Sequence, residues 1–525
     1  VKPGYLALVL QAHLPFVREP EHERFLEESW LFEAVAECYL PLIHIWEGWQ
    51  RDGVPARLTL SLSPTLCEML RDPLLQARCA RYLESRLELA DKEVHRTRRQ
   101  PALHALACFY RARFAAWHEL YHRCGGDLVG VFRRFQEQGR LELAPTAATH
   151  ALLPLLAAHP PSLRAQIRVA LDCYRHYFGT EPRGFWLPEC AYGAEVEAPL
   201  REANLRWVIL DTHGVLQAQP PPLFGVYAPV FTPNGIAAFG RDPASARQVW
   251  SRAEGYPGDA RYRDFYRDAG FDLDFDYVRP YLPSPDHRGF TGLKYHRITG
   301  ATPDKALYDR AAALRAAAEH AADFLRRRSA ELQRLSGLLD RPPIVVCPYD
   351  AELFGHWWYE GPEFLDSLVR LACRTPDAPE WITPLDYLKR HPTLQVASPA
   401  ASSWGEAGYF GPWLSQANHW IQPRLLAAQR RMTELAARFE RPSALQARAL
   451  AQAARELLLA QASDWPFLIH AGTSSQYARC RVEQHLTRFL ALHEQLTTRE
   501  IDPAWLERVE RQDNIFPQVQ WRHWQ

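Results

Sequence analysis

Two stretches of this chain present an acid in the same setting. In Gly184-Phe185-Trp186-Leu187-Pro188-Glu189-Cys190-Ala191-Tyr192, a short apolar run breaks at a proline and delivers Glu189. In Ile344-Val345-Val346-Cys347-Pro348-Tyr349-Asp350, a β-prone run delivers Asp350 in the same way, and the chain continues through Glu352, His356, Trp357 and Trp358. Two carboxyl groups at the ends of buried strands, each beside indole rings, suit the cleavage of a sugar–sugar bond. One protonates the leaving oxygen, and the other serves as nucleophile or base on the opposite face of the ring. Taken singly, each acid reads more simply as half of a structural ion pair. The repeated strand–proline–acid context turns the reading toward catalysis.

Three histidines, His13, His150 and His356, follow predicted strands or lie in strand-end loops. They suit hydrogen bonds to sugar hydroxyls, tuning of the two acids, or metal ligation. No HExxH motif and no HxH or DxD pairing occurs at these positions, so neither a metal nor any other cofactor is expected. Flat rings cover the apolar faces of glucose units, and Trp30, Trp186, Trp357, Trp404, Trp413 and Trp465 are candidates for that contact. Trp404 and Trp413 lie in glycine-bearing loops, where burial is less automatic, and are the foremost stacking candidates.

Positioning such residues requires a large scaffold. A chain of 525 residues with 47% hydrophobic content has room for a barrel and a smaller domain. Lys+Arg and Asp+Glu both number 61, which gives no support to nucleic acid or an anionic membrane as partner. The ten cysteines form no CxxC pair and mostly sit in apolar contexts, as expected of buried thiols in a reducing, cytoplasmic setting. Short stretches at residues 5–10, 57–62, 139–145, 184–188, 206–210 and 344–347 read as strands, with helical segments between several of them. Polar residues just past the strand ends predict a parallel α/β sheet or barrel whose site lies at the carboxyl ends of its strands. Residues 73–138 read as a helical insertion and 218–296 as an irregular, lid-like region. After residue 399 a glycine- and tryptophan-bearing loop, 402–413, leads into helical segments.

The same residues carry a family resemblance across nearly the whole chain. Gln11-Ala12-His13-Leu14-Pro15-Phe16-Val17-Arg18 with Trp30-Leu31-Phe32-Glu33-Ala34, residues 139–145 leading to His150, the two acid-bearing stretches, and Ala462-Ser463-Asp464-Trp465-Pro466-Phe467 resemble the motifs of glycoside hydrolase family 57. Among its members they are most similar to the 1,4-α-glucan branching enzymes. The resemblance implies an incomplete (β/α)7 barrel, here residues 1–398, with a helical C-terminal domain, 399–525, docked on the catalytic face. It implies a retaining, metal-independent mechanism with Glu189 as nucleophile and Asp350 as general acid/base. His13, Trp30, His150, Trp186, His356, Trp357, Trp404, Trp413, Asp464 and Trp465 fall to substrate contact or cleft shaping. The implied partners are α-1,4-glucan donor and acceptor chains, on a monomer or small homo-oligomer. In branching enzymes of the family an aromatic-tipped loop beside the cleft bears on acceptor choice. Residues 230–248 are expected to supply it, with Phe231 and Phe239 and no tyrosine. The family's α-amylases and 4-α-glucanotransferases are the neighbouring alternatives. From other classes, a metal-dependent carbohydrate hydrolase or deacetylase and a non-catalytic glycan-binding protein remain.

Overall fold

The computed structural model describes residues 2–251 and 254–525. Arg252 and Ala253, inside the region read as a lid, lie outside the described residues. The described residues contain eight strands: β1 (Tyr5–Ala12), β2 (Leu58–Leu62), β3 (Leu141–Pro145), β4 (Trp207–Leu210), β5 (Val230–Phe231), β6 (Ala237–Gly240), β7 (Ile344–Asp350) and β8 (Glu380–Trp381). The order β3-β2-β1-β7 is parallel throughout, and β4 pairs parallel with β6. Both faces of these strands are covered, so burial runs along them without alternation, and in β2 the alternating Thr59 and Ser61 are buried as fully as the leucines between them.

Two narrow seams join the sheets into a ring. On one side Trp186 N–H donates to the Pro145 carbonyl (2.9 Å) and Phe185 N–H to the Trp207 carbonyl (3.0 Å), so residues 184–186 fill a strand position. On the other, Arg241 N–H donates to Leu210 O (2.9 Å) and Asp242 N–H to Val346 O (3.0 Å). The circuit runs β1, β2, β3, residues 184–186, β4, β6, β7 and back to β1. This is the seven-membered, incompletely hydrogen-bonded barrel that the family resemblance implied. β8 wedges against the start of β1, where Tyr5 and Leu6 pair with Glu380 and Trp381.

Helix starts are set by Xaa–Pro steps with a side-chain cap. Ser63 accepts from Leu66 N–H at Pro64–Arg71, and Asp72 from Leu75 N–H at Pro73–Thr97. Pro73–Thr97, Pro101–Arg123 and Leu128–Glu137 form the expected insertion. The lid-like reading of 218–296 needs correction, because it contains the barrel strand β6. At four residues, Ala-Ala-Phe-Gly, β6 is too short to register as a periodic run. The C-terminal helices Ile421–Arg438, Ala444–Ala460, Asp464–Ala471, Ser475–Thr498 and Pro503–Gln512 share one continuous apolar core with the barrel. The chain ends with Trp524 buried and its indole N–H donating to Ser162 Oγ (3.1 Å).

Candidate active site

Glu189 and Asp350 both emerge at the carboxyl ends of barrel positions. Asp350 is the last residue of β7, in register with Gln11 of β1. Glu189 follows residues 184–186 and has left-handed backbone angles (φ 60°, ψ 22°), as does Cys190 after it (φ 50°). Such angles in non-glycine residues are costly and persist only where surrounding contacts fix them. Here Trp404 N–H donates to the Glu189 carbonyl (3.0 Å), and Cys190 N–H to Leu187 O (2.9 Å). The turn aims the Glu189 carboxyl into the barrel mouth, where its side chain remains 21% exposed.

The two carboxyls differ in what surrounds them. Glu189 Oε2 accepts a hydrogen bond from Trp404 Nε1 (2.7 Å), and His150 Nδ1 lies 3.8 Å from its other oxygen. Burial raises the Glu189 carboxyl to about 7; the indole donor and His13 oppose that rise, while Asp464 adds to it. Asp350 is pushed well above the usual carboxylate range by burial, then by Glu352 and Glu189, with only Arg241 opposing. Among the described residues no group donates to its side chain. One proton divided between the two therefore resides on Asp350, and the charge on Glu189.

The histidines fall into two groups. His13 and His150 stack face to face, with centroids 3.9 Å apart and planes at 15°. His13 Nε2 contacts Asp464 Oδ2 (3.1 Å) and its Nδ1 lies 2.8 Å from Ser63 Oγ. His150, buried and driven toward neutrality by burial and by His13, contacts Ser463 Oγ (2.9 Å). Asp464 and Ser463 start a C-terminal helix, so that helix completes the floor of the site. His356 stands apart, bonded to Glu37 (2.7 Å). Glu37 sits in a π-helical turn, Val35–Tyr39, which presses so closely on the β7 loop that a Cβ at Gly355 would lie 1.8 Å from the Glu37 carbonyl. Among the described residues the three histidines form no metal-sized cluster; two other groupings do.

Three tryptophan assignments need correction. Trp186 and Trp465 are 0% exposed and Trp413 1%, so none presents a face to a sugar. Trp186 packs edge-on against Trp404 at 5.1 Å, Trp465 Nε1 bonds Leu459 O (2.7 Å), and Trp413 stacks on Phe467. Each closes a layer beneath the site. Trp404 is half-buried over Glu189, and Trp30 is half-buried against Tyr477. Trp357 is 55% exposed and stacks on Phe265 at 4.6 Å.

The expectation for residues 230–248 also fails. That stretch is β5, β6 and the helix Pro243–Trp250, and Phe239 is buried. The exposed ring at this rim is Tyr409, 49% exposed on the turn Gly405-Glu406-Ala407-Gly408. Its ring contacts His213 at 5.5 Å, and His213 Nε2 bonds the Gly408 carbonyl (2.8 Å). Sequence reasoning missed Tyr409, although its glycine-flanked turn directly follows Trp404. Arg241 and Asp211 were missed as well. They pair at 3.1 Å past the ends of β6 and β4, and Arg241 lies over the Trp404 ring at 5.4 Å. Glu352, bonded by Tyr39 OH and by His13 N–H (3.3 Å), stood two residues past Asp350.

This site sits on a recognisable chain. The model of glycosyl hydrolase family 57 matches residues 7–399. The chain belongs to that family. Residues 424–524 match the model of the 1,4-alpha-glucan branching enzyme C-terminal region. A 1,4-alpha-glucan branching enzyme of Thermococcus kodakarensis is 31% identical over 557 aligned residues, covering 98% of this chain and 78% of that protein. Among solved structures, the α-amylase AmyC from Thermotoga maritima is 41% identical, with a TM-score of 0.93 over 99% of both chains. The GH57-type branching enzyme from Pyrococcus horikoshii is 31% identical, with a TM-score of 0.89 over 99% of this chain and 97% of that one.

Proposed function

We propose that this family 57 enzyme is a 1,4-α-glucan branching enzyme working by retaining double displacement. The observation that carries the chemistry is the asymmetry of the two acids. Glu189 has an indole donor to stabilise its anion, and Asp350 has none and faces like charges. Ionised Glu189 attacks the anomeric carbon of a bound α-1,4-linked chain while Asp350 gives its proton to the departing oxygen. Asp350, now a carboxylate, draws the proton from the 6-hydroxyl of an acceptor chain, whose oxygen displaces Glu189 with net retention. His13, His150 and Asp464 fit hydroxyl recognition beside Glu189. Trp30, Trp357 and Trp404 offer ring faces, and His356 holds the loop that carries Trp357. The metal-dependent alternative gains no support from these histidines, since His356 is committed to Glu37.

The choice between transfer and hydrolysis depends on excluding water and holding a second chain. Support for transfer comes from the branching-enzyme relatives and the C-terminal match, and from Tyr409, a ring at the rim suited to an acceptor chain. The likeness to an enzyme named α-amylase favours the second reading, hydrolysis. Incubation with amylose, scored for new α-1,6 linkages and new reducing ends, decides between them. Linkages well in excess of reducing ends are expected. Reducing ends without α-1,6 bonds would establish an amylase.

A further inference from the structure

Outside the cleft, on the exposed face of the helical insertion, three side chains with metal-ligand chemistry converge. His118 and His122 stand one turn apart near the end of helix Pro101–Arg123, and Glu84 projects from the adjacent helix Pro73–Thr97. One ligand atom from each lies within 4.8 Å of the other two. The two Nε2 atoms are 3.1 Å apart, with the ring planes at 60°. An ion at about 2.05 Å from both nitrogens, the usual zinc–imidazole distance, would subtend an N–metal–N angle of about 98°, between octahedral and tetrahedral values.

We propose that Glu84, His118 and His122 bind one divalent transition-metal ion of the zinc class. Two imidazoles and a carboxylate are a donor set for such ions and a poor one for calcium or magnesium, which prefer all-oxygen shells. Without metal the two facing nitrogens are joined by one hydrogen bond, whose donor is set by the tautomers. A metal takes both lone pairs at once. The helix ends at Arg123, so its carbonyl-bearing terminus also favours a cation at this end. The remaining coordination positions face solvent and take water. Because the ligands come from two helices, the ion staples the insertion. The Pro73–Thr97 helix also receives the 277–295 segment, through Tyr277 and Tyr295 on Glu93, so that segment's anchor is stiffened too.

The test is calorimetric titration of the full-length, chelator-treated protein with zinc chloride, beside the variants His118→Ala, His122→Ala and Glu84→Gln. One saturable site is expected, lost in either histidine variant and weakened in Glu84→Gln, which removes the anionic ligand. The melting temperature of the wild type should rise with zinc, with no rise in His118→Ala. Absorption of the cobalt-loaded protein should report mixed nitrogen and oxygen coordination that vanishes in the double histidine variant. Should either histidine variant fold poorly, His118→Gln keeps the volume and must also lose the site. Unchanged zinc binding in the histidine variants, or no saturable site in the wild type, overturns the assignment. Turnover of amylose should be the same in wild type and His118→Ala.

Discussion

Replacing Trp404 by phenylalanine tests the electrostatic assignment directly. The indole Nε1 donates to Glu189 Oε2 at 2.7 Å, and this bond opposes the burial that lifts the carboxyl to about 7. Phenylalanine keeps an aromatic ring against Trp186 and removes the donor together with the five-membered part of the indole, a loss of volume that does not depend on pH. A hydrogen bond to a charged group is worth about 1.5–3 kcal/mol, which moves the midpoint up by about one to two pH units. At pH 7 the ionised fraction of Glu189 falls from about a half to between roughly a tenth and a hundredth. On that basis kcat/KM at pH 7 should fall about 5- to 50-fold, and much of the loss should be recovered toward pH 9, where Glu189 again ionises. Asp350 supplies the alkaline limb, and its position should hold, so the bell narrows from the acid side. The assay is the pH profile of kcat/KM on amylose for both proteins. A uniform loss across pH with an unmoved acid limb would refute the reasoning and leave Trp404 a purely steric role.

Further outcomes follow from the same geometry. Glu189 has a folded-state midpoint raised from 4.5 to about 7, so its neutral form favours the fold, and that contribution is present below about 4.5 and lost as pH rises through 7. Glu189→Gln, neutral at every pH, should therefore be inactive yet more stable than wild type by about 2 kcal/mol at pH 8, after discounting for partial exposure. Urea unfolding should show that gap closing toward pH 4.5, and a gap independent of pH would contradict it. Trp413→Ala and Trp357→Ala should separate packing from binding. The first empties a buried site and costs about 3–5 kcal/mol of stability, while the second leaves the melting temperature unchanged and raises KM for amylose. Trp524→Ala, at the buried end of the chain, should cost a similar 3–5 kcal/mol, and Trp524→Phe only about 1 kcal/mol for the lost bond to Ser162. Calorimetric melting of each variant checks the ranking.

The sequence alone determined a parallel α/β architecture with a helical insertion and a helical C-terminal region, because buried strands and amphipathic helices leave their patterns directly in the chain, while the closure of the barrel was implied by the family resemblance. Glu189 and Asp350 were legible for the same reason: each acid stands where an apolar run meets a proline, and a strand end has a fixed address in the fold. Other features depended on contacts between distant segments. Trp413 and Trp404 occupy similar glycine-bearing sequence, yet one is sealed under Phe467 and the other lies open above Glu189. Burial is decided by what packs on a residue, and that partner lies elsewhere in the chain. β6 was hidden because Ala-Ala-Phe-Gly is too short to carry a period, so residues 230–248 passed for a loop and Tyr409 went unnoticed. The difference between the two acids was likewise set in three dimensions. Trp404 lies more than two hundred residues from Glu189, and it is the donor it brings, with the like charges gathered around Asp350, that assigns the proton.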